Sequence, residues 1–282
     1  MKRMLFVAAL AALHAAPGSA TVVTARGGAA LKPFQVTAFV PVAYSRTAKF
    51  YDWSAGEYQP LDDTLRTGSF GADVIVGVGL PFRFELCGVL PVATKSKGDN
   101  TSSGVGDAMA MVRWGVLQTA LLPVRVSLIG AVNLPTAQEG ASPALGDRTV
   151  DAGLGFAANT VKLGLVAGHL RAGYWMNGKD ANGKQAGNFL EYVGFVETPL
   201  RPAFAPYLGL AGVVAGRIRV NGVQTNNTER SQHSLIAGIT SKPVGFLPLW
   251  LRPKASLPLA GLSEGGELPN FTVGLDFWTV LP

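Results

Sequence analysis

Cysteine is almost missing from this chain: 282 residues hold one, Cys87. A single thiol cannot close an intramolecular disulfide, so packing and hydrogen bonds must hold the fold. Cys87 itself is expected as a small buried or lumen-facing residue. Charge is scarce as well, at 15% of residues, and no basic run occurs. The formal excess of +6 falls to 22 basic against 18 acidic residues when Lys2 and Arg3 are set aside. That balance leaves no footprint for nucleic acid. Clusters with metal-ligand spacing and phosphate-binding loops are missing too, so neither a cofactor nor a metal is expected. Long apolar runs are also lacking beyond the N-terminal residues, although 48% of the chain is hydrophobic. The longest is Pro202 to Gly216, fifteen residues interrupted by two prolines and three glycines. A bilayer-spanning helix needs about 20 apolar residues, which excludes a helical membrane protein.

What is present begins with an export signal. Lys2 and Arg3 precede an apolar run from Met4 to Ala16, broken only by His14, and Gly18-Ser19-Ala20 supplies the small residues of a cleavage site. Residues 1–20 therefore read as a signal peptide, too short to span a bilayer. Residues 21–33 read as a short periplasmic lead, and 34–282 as the folded body.

That body alternates. In Gly104-Val-Gly-Asp-Ala-Met-Ala-Met-Val-Arg-Trp-Gly-Val116, one series (Ala108, Ala110, Val112, Trp114, Val116) is wholly apolar, while the other holds Asp107, Met109, Met111 and Arg113. Residues i and i+2 of a strand share a face, so one side is apolar and the other carries charge. Twelve such segments follow one another between Phe34 and Trp278. Their connections sort by length. Long polar ones fall near 46–67, 94–104, 135–147, 176–187, 220–229 and 260–269, and short ones near 80–82, 118–123, 160–162, 199–204 and 241–247. Export, high glycine, alternation and segregated loops together predict an all-β fold: an antiparallel transmembrane barrel of about 12 strands. It would lie in a Gram-negative outer membrane, with lipid and lipopolysaccharide around it and the termini on the periplasmic side.

The inward series then defines a candidate lumen. It holds Asp73, Glu85, Asp107, Asp151, Glu191, Glu197 and Asp276 against Arg83, Arg113, Arg125, Arg171, Arg217, Arg219, Arg252 and Lys254, together with His169, Met109, Met111 and Phe195. Near-balance of charge suits two readings, a closed interior held by ion pairs and a polar path for a solute. Barrels of about eight strands fill with side chains while 16 or more leave a channel, so twelve decides nothing. Small inward residues (Gly71, Gly77, Gly79, Gly153, Gly155, Gly209, Ala211, Ala215, Gly274) are expected to leave space. Met109, Met111 and Phe195 beside Arg113 and Glu191 suit a solute with an apolar body and a polar handle. The first long loop carries Phe50, Tyr51, Trp53 and Tyr58, a candidate gate or first docking site.

A catalytic reading requires a Ser and a His on one face, two residues apart, with a third group to orient the His. His233 and Ser234 are adjacent and so face opposite ways, and His169 is followed at i+2 by Arg171. No dyad is expected, and the chain does not read as an enzyme.

The strand opened by Gly104-Val-Gly-Asp107, with Arg113 six residues on, resembles the outer-membrane family named for the MetA-pathway of phenol degradation. Leu90-Pro91, Leu134-Pro135 and Leu257-Pro258 match that family's strand ends. The likeness runs over residues 34–278. It implies a barrel that passes small hydrophobic or aromatic solutes. One departure concerns the end of the chain. Outer-membrane chains usually finish on an aromatic read by the barrel-insertion machinery, whereas Phe277-Trp278 are followed here by Thr279-Val280-Leu281-Pro282.

Overall fold

A computed structural model describes residues 29–118, 123–160, 166–198, 204–241 and 249–282. The export signal and the first part of the lead lie outside them, as do most residues of the short turns expected at 118–123, 160–162, 199–204 and 241–247. Twelve strands form the wall: β1 Val36–Asp52, β2 Thr67–Gly79, β3 Phe84–Lys97, β4 Met109–Leu117, β5 Val124–Asn133, β6 Asp151–Thr160, β7 Ala167–Met176, β8 Phe189–Glu197, β9 Phe204–Ala215, β10 Arg230–Ser241, β11 Leu249–Pro258 and β12 Glu267–Leu281. Each pairs antiparallel with the next. The ring closes where β1 pairs with β12, from Val36 opposite Leu281 to Phe50 opposite Glu267. Closure leaves no strand edge unpaired in the wall, the condition for a sheet to cross hydrocarbon. None of the described helices is long and apolar enough to cross a membrane; the strands do the crossing.

Burial runs opposite to that of a water-soluble protein. Leu154 is 66% exposed and Leu208 56%, while Glu191 is 2% exposed. The cause is the solvent: an outward Arg or Lys at mid-bilayer costs about 2–4 kcal/mol, whereas an outward leucine costs nothing there. The alternation therefore fixes which face is which along every strand. Phe277 and Trp278 fall within β12, with Trp278 buried inside and packed edge-on against Phe39 at 6.4 Å. The chain's last residues simply complete the closing seam.

Two of the long connections are more regular than their polar composition suggests. Residues 94–104 continue the ladder, with Asn100–Val105 pairing back onto β3 around a turn at Gly98, whose φ of +56° suits glycine. Likewise Glu57–Pro60 pairs back onto β1, so the first loop is a raised hairpin. Segments from the 177–188 and 216–229 connections form a small three-stranded sheet outside the barrel. Only 134–150, among the described long connections, contains no strand or helix.

Candidate functional site

The lumen divides into an upper and a lower half between two mouths. In its upper half, β4 and β5 send Met109, Met111 and Ile129 inward, β7 sends Trp175, and all four are buried in one apolar cluster with Phe189 and Val213. Strands β6 and β7 face them with Gly153, Gly155 and Gly173, lining a small recess that Arg171 and Glu191 border. The Arg171 guanidinium ion-pairs Glu191 Oε1, which also accepts from the Trp175 indole N–H at 3.2 Å. Isolated, either charge would be very costly here; paired and hydrogen-bonded, they are tolerated.

The lower half is aromatic and cationic. Arg252 lies 5.1–5.5 Å from the ring centres of Phe195, Tyr207 and Trp278, and its Nε donates to Thr240 Oγ1. Such stacking desolvates a guanidinium at lower cost than aliphatic walls would. Trp250 stacks on Trp278 at 5.8 Å, and His169 on Phe195 at 4.5 Å, with His169 Nε2 3.1 Å from Glu197 Oε1. Lys254 pairs with Asp276 at 2.6 Å, and Asp73 is buried on the same inner wall.

Both mouths carry backbone held by lumen charges. At the end that holds the short turns, Glu85 and Arg113 sit opposite each other on β3 and β4, both buried. Glu85 Oε2 accepts from Leu31 N–H at 3.2 Å, Arg113 Nη1 donates to Ala29 carbonyl at 3.2 Å, and Gln118 accepts from Ala30 N–H. The lead is thus no free arm at residues 29–31: it tucks into the barrel, with Leu31 buried. At the opposite end, which holds the long connections, Asp107 accepts from Ala137 N–H at 2.9 Å and Arg148 N–H at 3.0 Å. Asp151 accepts from Asn133, from Thr149 Oγ1 at 2.7 Å and from Gly178 N–H at 2.9 Å.

Some expected residues lie elsewhere. Arg83 is not on the inner wall: it sits in the exposed turn before β3 with φ +66°, since the strand starts one residue later than the alternation alone suggests. Arg217 and Arg219 lie past the end of β9, and Arg217 binds Glu229 in an exposed loop. Arg125 does face inward, half-buried. The small inward residues do not leave a void either. A Cβ at Gly153 would meet the Trp175 ring at 2.8 Å, one at Gly209 would meet Phe195 at 2.4 Å, and one at Gly79 would meet the Lys32 carbonyl at 2.0 Å. They are small because large neighbours already occupy the space.

The aromatic loop residues divide. Tyr51, Trp53 and Tyr58 form one edge-on cluster with centres 5.0–5.1 Å apart, and the Tyr58 hydroxyl donates to Gly265 carbonyl at 2.9 Å. Phe50 is the next residue along the strand from Tyr51, with its side chain on the opposite side, exposed.

Sequence reasoning missed Ser231. It lies two residues before His233 on the outward face, with its Oγ 2.9 Å from His233 Nε2, and Tyr192 Oη lies 2.7 Å from Nδ1. The i, i+2 spacing was available, in the order Ser before His. The neighbouring N–H groups are already committed, Ser231 N to Glu264 carbonyl and His233 N to Ser263 Oγ. Arg230, half-buried at the mouth end of β10, and Lys95, whose Nζ donates to Ala144 carbonyl at 2.8 Å, were missed too.

The closed wall, its apolar exterior and its charged interior decide the class. The chain is an integral outer-membrane barrel. No family model matches it, and no curated protein does. Among solved structures it is similar to the COG4313 outer membrane channel from Pseudomonas putida F1, with 16% identity over 90% of this chain and 98% of that one and a TM-score of 0.77. The NanC porin (8% identity, 86% and 98% covered, TM-score 0.52) and the β domain of the Bordetella autotransporter BrkA (10%, 87% and 100%, 0.52) are more distant. These are a channel, a porin and the β domain of an autotransporter, and at such identities the likeness shows a shared fold.

Proposed function

We propose that the barrel is a passive conduit for small hydrophobic or aromatic solutes. The observation that carries this reading is the upper lumen, where Met109, Met111, Ile129 and Trp175 lie over a glycine wall beside a single neutralised ion pair, Arg171–Glu191. Methionine side chains are unbranched and adaptable, so an apolar solute can displace them where a lumen of ion pairs would resist. A polar handle would find Arg171 and Glu191 in the upper layer, then Arg252, His169 and Glu197 below. The shared fold with the Pseudomonas outer membrane channel supports the same reading. Tyr51, Trp53 and Tyr58, above the mouth, would give an aromatic solute its first contact. A closed barrel without transport is the second reading, favoured by the chain segments bound in both mouths.

Uptake into liposomes by the purified full-length protein tests this, with a panel of aromatic acids, alkanes and sugars. Alkanes and aromatics entering several-fold faster than into empty liposomes, with sugars unchanged, is the expected result. A variant lacking residues 50–58 should slow aromatic entry. No uptake of any panel member would return the protein to the closed-barrel reading.

A further inference from the structure

We propose that residues 134–150 form a releasable lid over the extracellular mouth and that Gly104-Val105-Gly106-Asp107 is its clasp. Four observations meet here. First, this connection has no strand or helix, whereas the hairpins at 46–60 and 94–105 are ladders that extend the wall. Second, it is nonetheless packed down, with Ala137 and Leu145 buried. Third, its attachments are concentrated on inward groups at the top of β3 and β4. Both Asp107 carboxylate oxygens accept lid N–H groups, from Ala137 and Arg148. Thr136 Oγ1 accepts from Ala108 N–H at 2.7 Å and donates to Gly106 carbonyl at 3.1 Å, and Lys95 donates to Ala144 carbonyl. Fourth, the glycines are shaped to the lid. A Cβ at Gly104 would come within 2.9 Å of Gln138 Oε1 and 3.0 Å of Leu145 Cδ1, and one at Gly106 within 3.2 Å of the Leu145 carbonyl. On the lid side, a Cβ at Gly146 would sit 2.2 Å from Asp107 Oδ2.

The motif thus reads as a socket: two glycines clear a path for the lid, and one carboxylate grips two of its amides. A carboxylate is suited to this because it offers several lone pairs and no donor, so it can hold two converging N–H groups at once. Arg148 is held at a φ of +57°, a conformation that a side-chain-bearing residue leaves readily once its N–H loses its acceptor. The lid therefore has two states at hand, clasped and released, and few bonds separate them.

The gating role rests on the conduit reading; the clasp itself does not. Hydrogen exchange of the purified barrel in detergent, read by mass spectrometry over 134–150, tests the clasp directly. In Asp107→Asn one acceptor becomes a donor facing an N–H group, and in Thr136→Val the second attachment is removed without touching β4. With heat-modifiable mobility and strand content unchanged, exchange across 134–150 is expected to rise at least tenfold in D107N and less in T136V. Liposome uptake of an aromatic probe is expected to rise several-fold in the same order. Unchanged exchange in both folded variants overturns the clasp. Faster exchange with uptake equal to that of a conducting wild type overturns the gate. No uptake by wild type or variants removes the conduit reading, and the gate with it.

Discussion

At the scale of single residues, the interior is governed by the cost of burying charge. Glu191 is 2% exposed and makes its bonds to Arg171 and Trp175, so removing it leaves a guanidinium inside the wall with no carboxylate. Breaking one side of such a pair typically costs about 3–5 kcal/mol, far more than the pair contributes relative to an apolar replacement. Glu191→Ala should therefore lower the urea midpoint of the refolded barrel by that order. The double variant Glu191→Leu, Arg171→Met should recover much of the loss, measured by tryptophan fluorescence in lipid vesicles. Arg252 shows a different solution to the same problem, a cation kept among three aromatic rings. Ser231 and His233 form a hydrogen-bonded pair on the outward face, with the N–H groups of both residues already committed to Glu264 and Ser263.

At the scale of elements, the lid carries its own titratable group. Burial first, then the neighbouring Asp151 and, further off, Asp107, push the Asp147 carboxyl up to about 6. Lys95 faces it as the opposing charge, and Thr149 N–H donates to it at 3.1 Å. An acid whose pKa is raised on docking binds its proton more tightly in the docked state. Docking is thus fully favoured below the ordinary carboxylate range and weakens as pH rises through about 6. Exchange over 134–150, corrected for the intrinsic pH dependence, should accelerate between pH 4 and pH 7. Asp147→Asn should flatten that rise and leave the lid better held at neutral pH; an unaltered profile would dismiss Asp147 as its cause.

At the scale of the whole molecule, the bilayer sorts the faces, and that sorting is testable. Leu154→Arg puts a guanidinium on the exposed outer face of β6, and a cost of about 2–4 kcal/mol is expected if that position lies near mid-membrane. Arginine in place of Val223, 72% exposed in the small sheet outside the wall, should leave stability within about 0.5 kcal/mol. Comparing the two urea midpoints in vesicles measures how deep the wall sits. Equal midpoints would contradict the outward assignment of β6.

The sequence by itself determined the wall. Strand number, the facing of β1 to β12 and the class of membrane all follow from a two-residue period and from loops sorted by length, because those are local properties that a lipid solvent enforces on each strand separately. It also placed Asp107, Glu191 and Arg252 inside. What it left undecided is how the inward residues meet. Gly153 and Gly209 look like empty space along one strand, and only closure shows Trp175 and Phe195 filling it from the neighbours. Arg83 and Arg217 fit the alternation but fall where strands have already given way to turns, since the pattern does not mark where pairing stops. The grip of Asp107 on amides 30 and 41 residues away, and that of Glu85 and Arg113 on residues 29–31, depend on loops folding back over the mouths. Such contacts join distant parts of the chain through backbone atoms that every residue carries, so no pattern of side chains announces them, and the tertiary structure alone decides them.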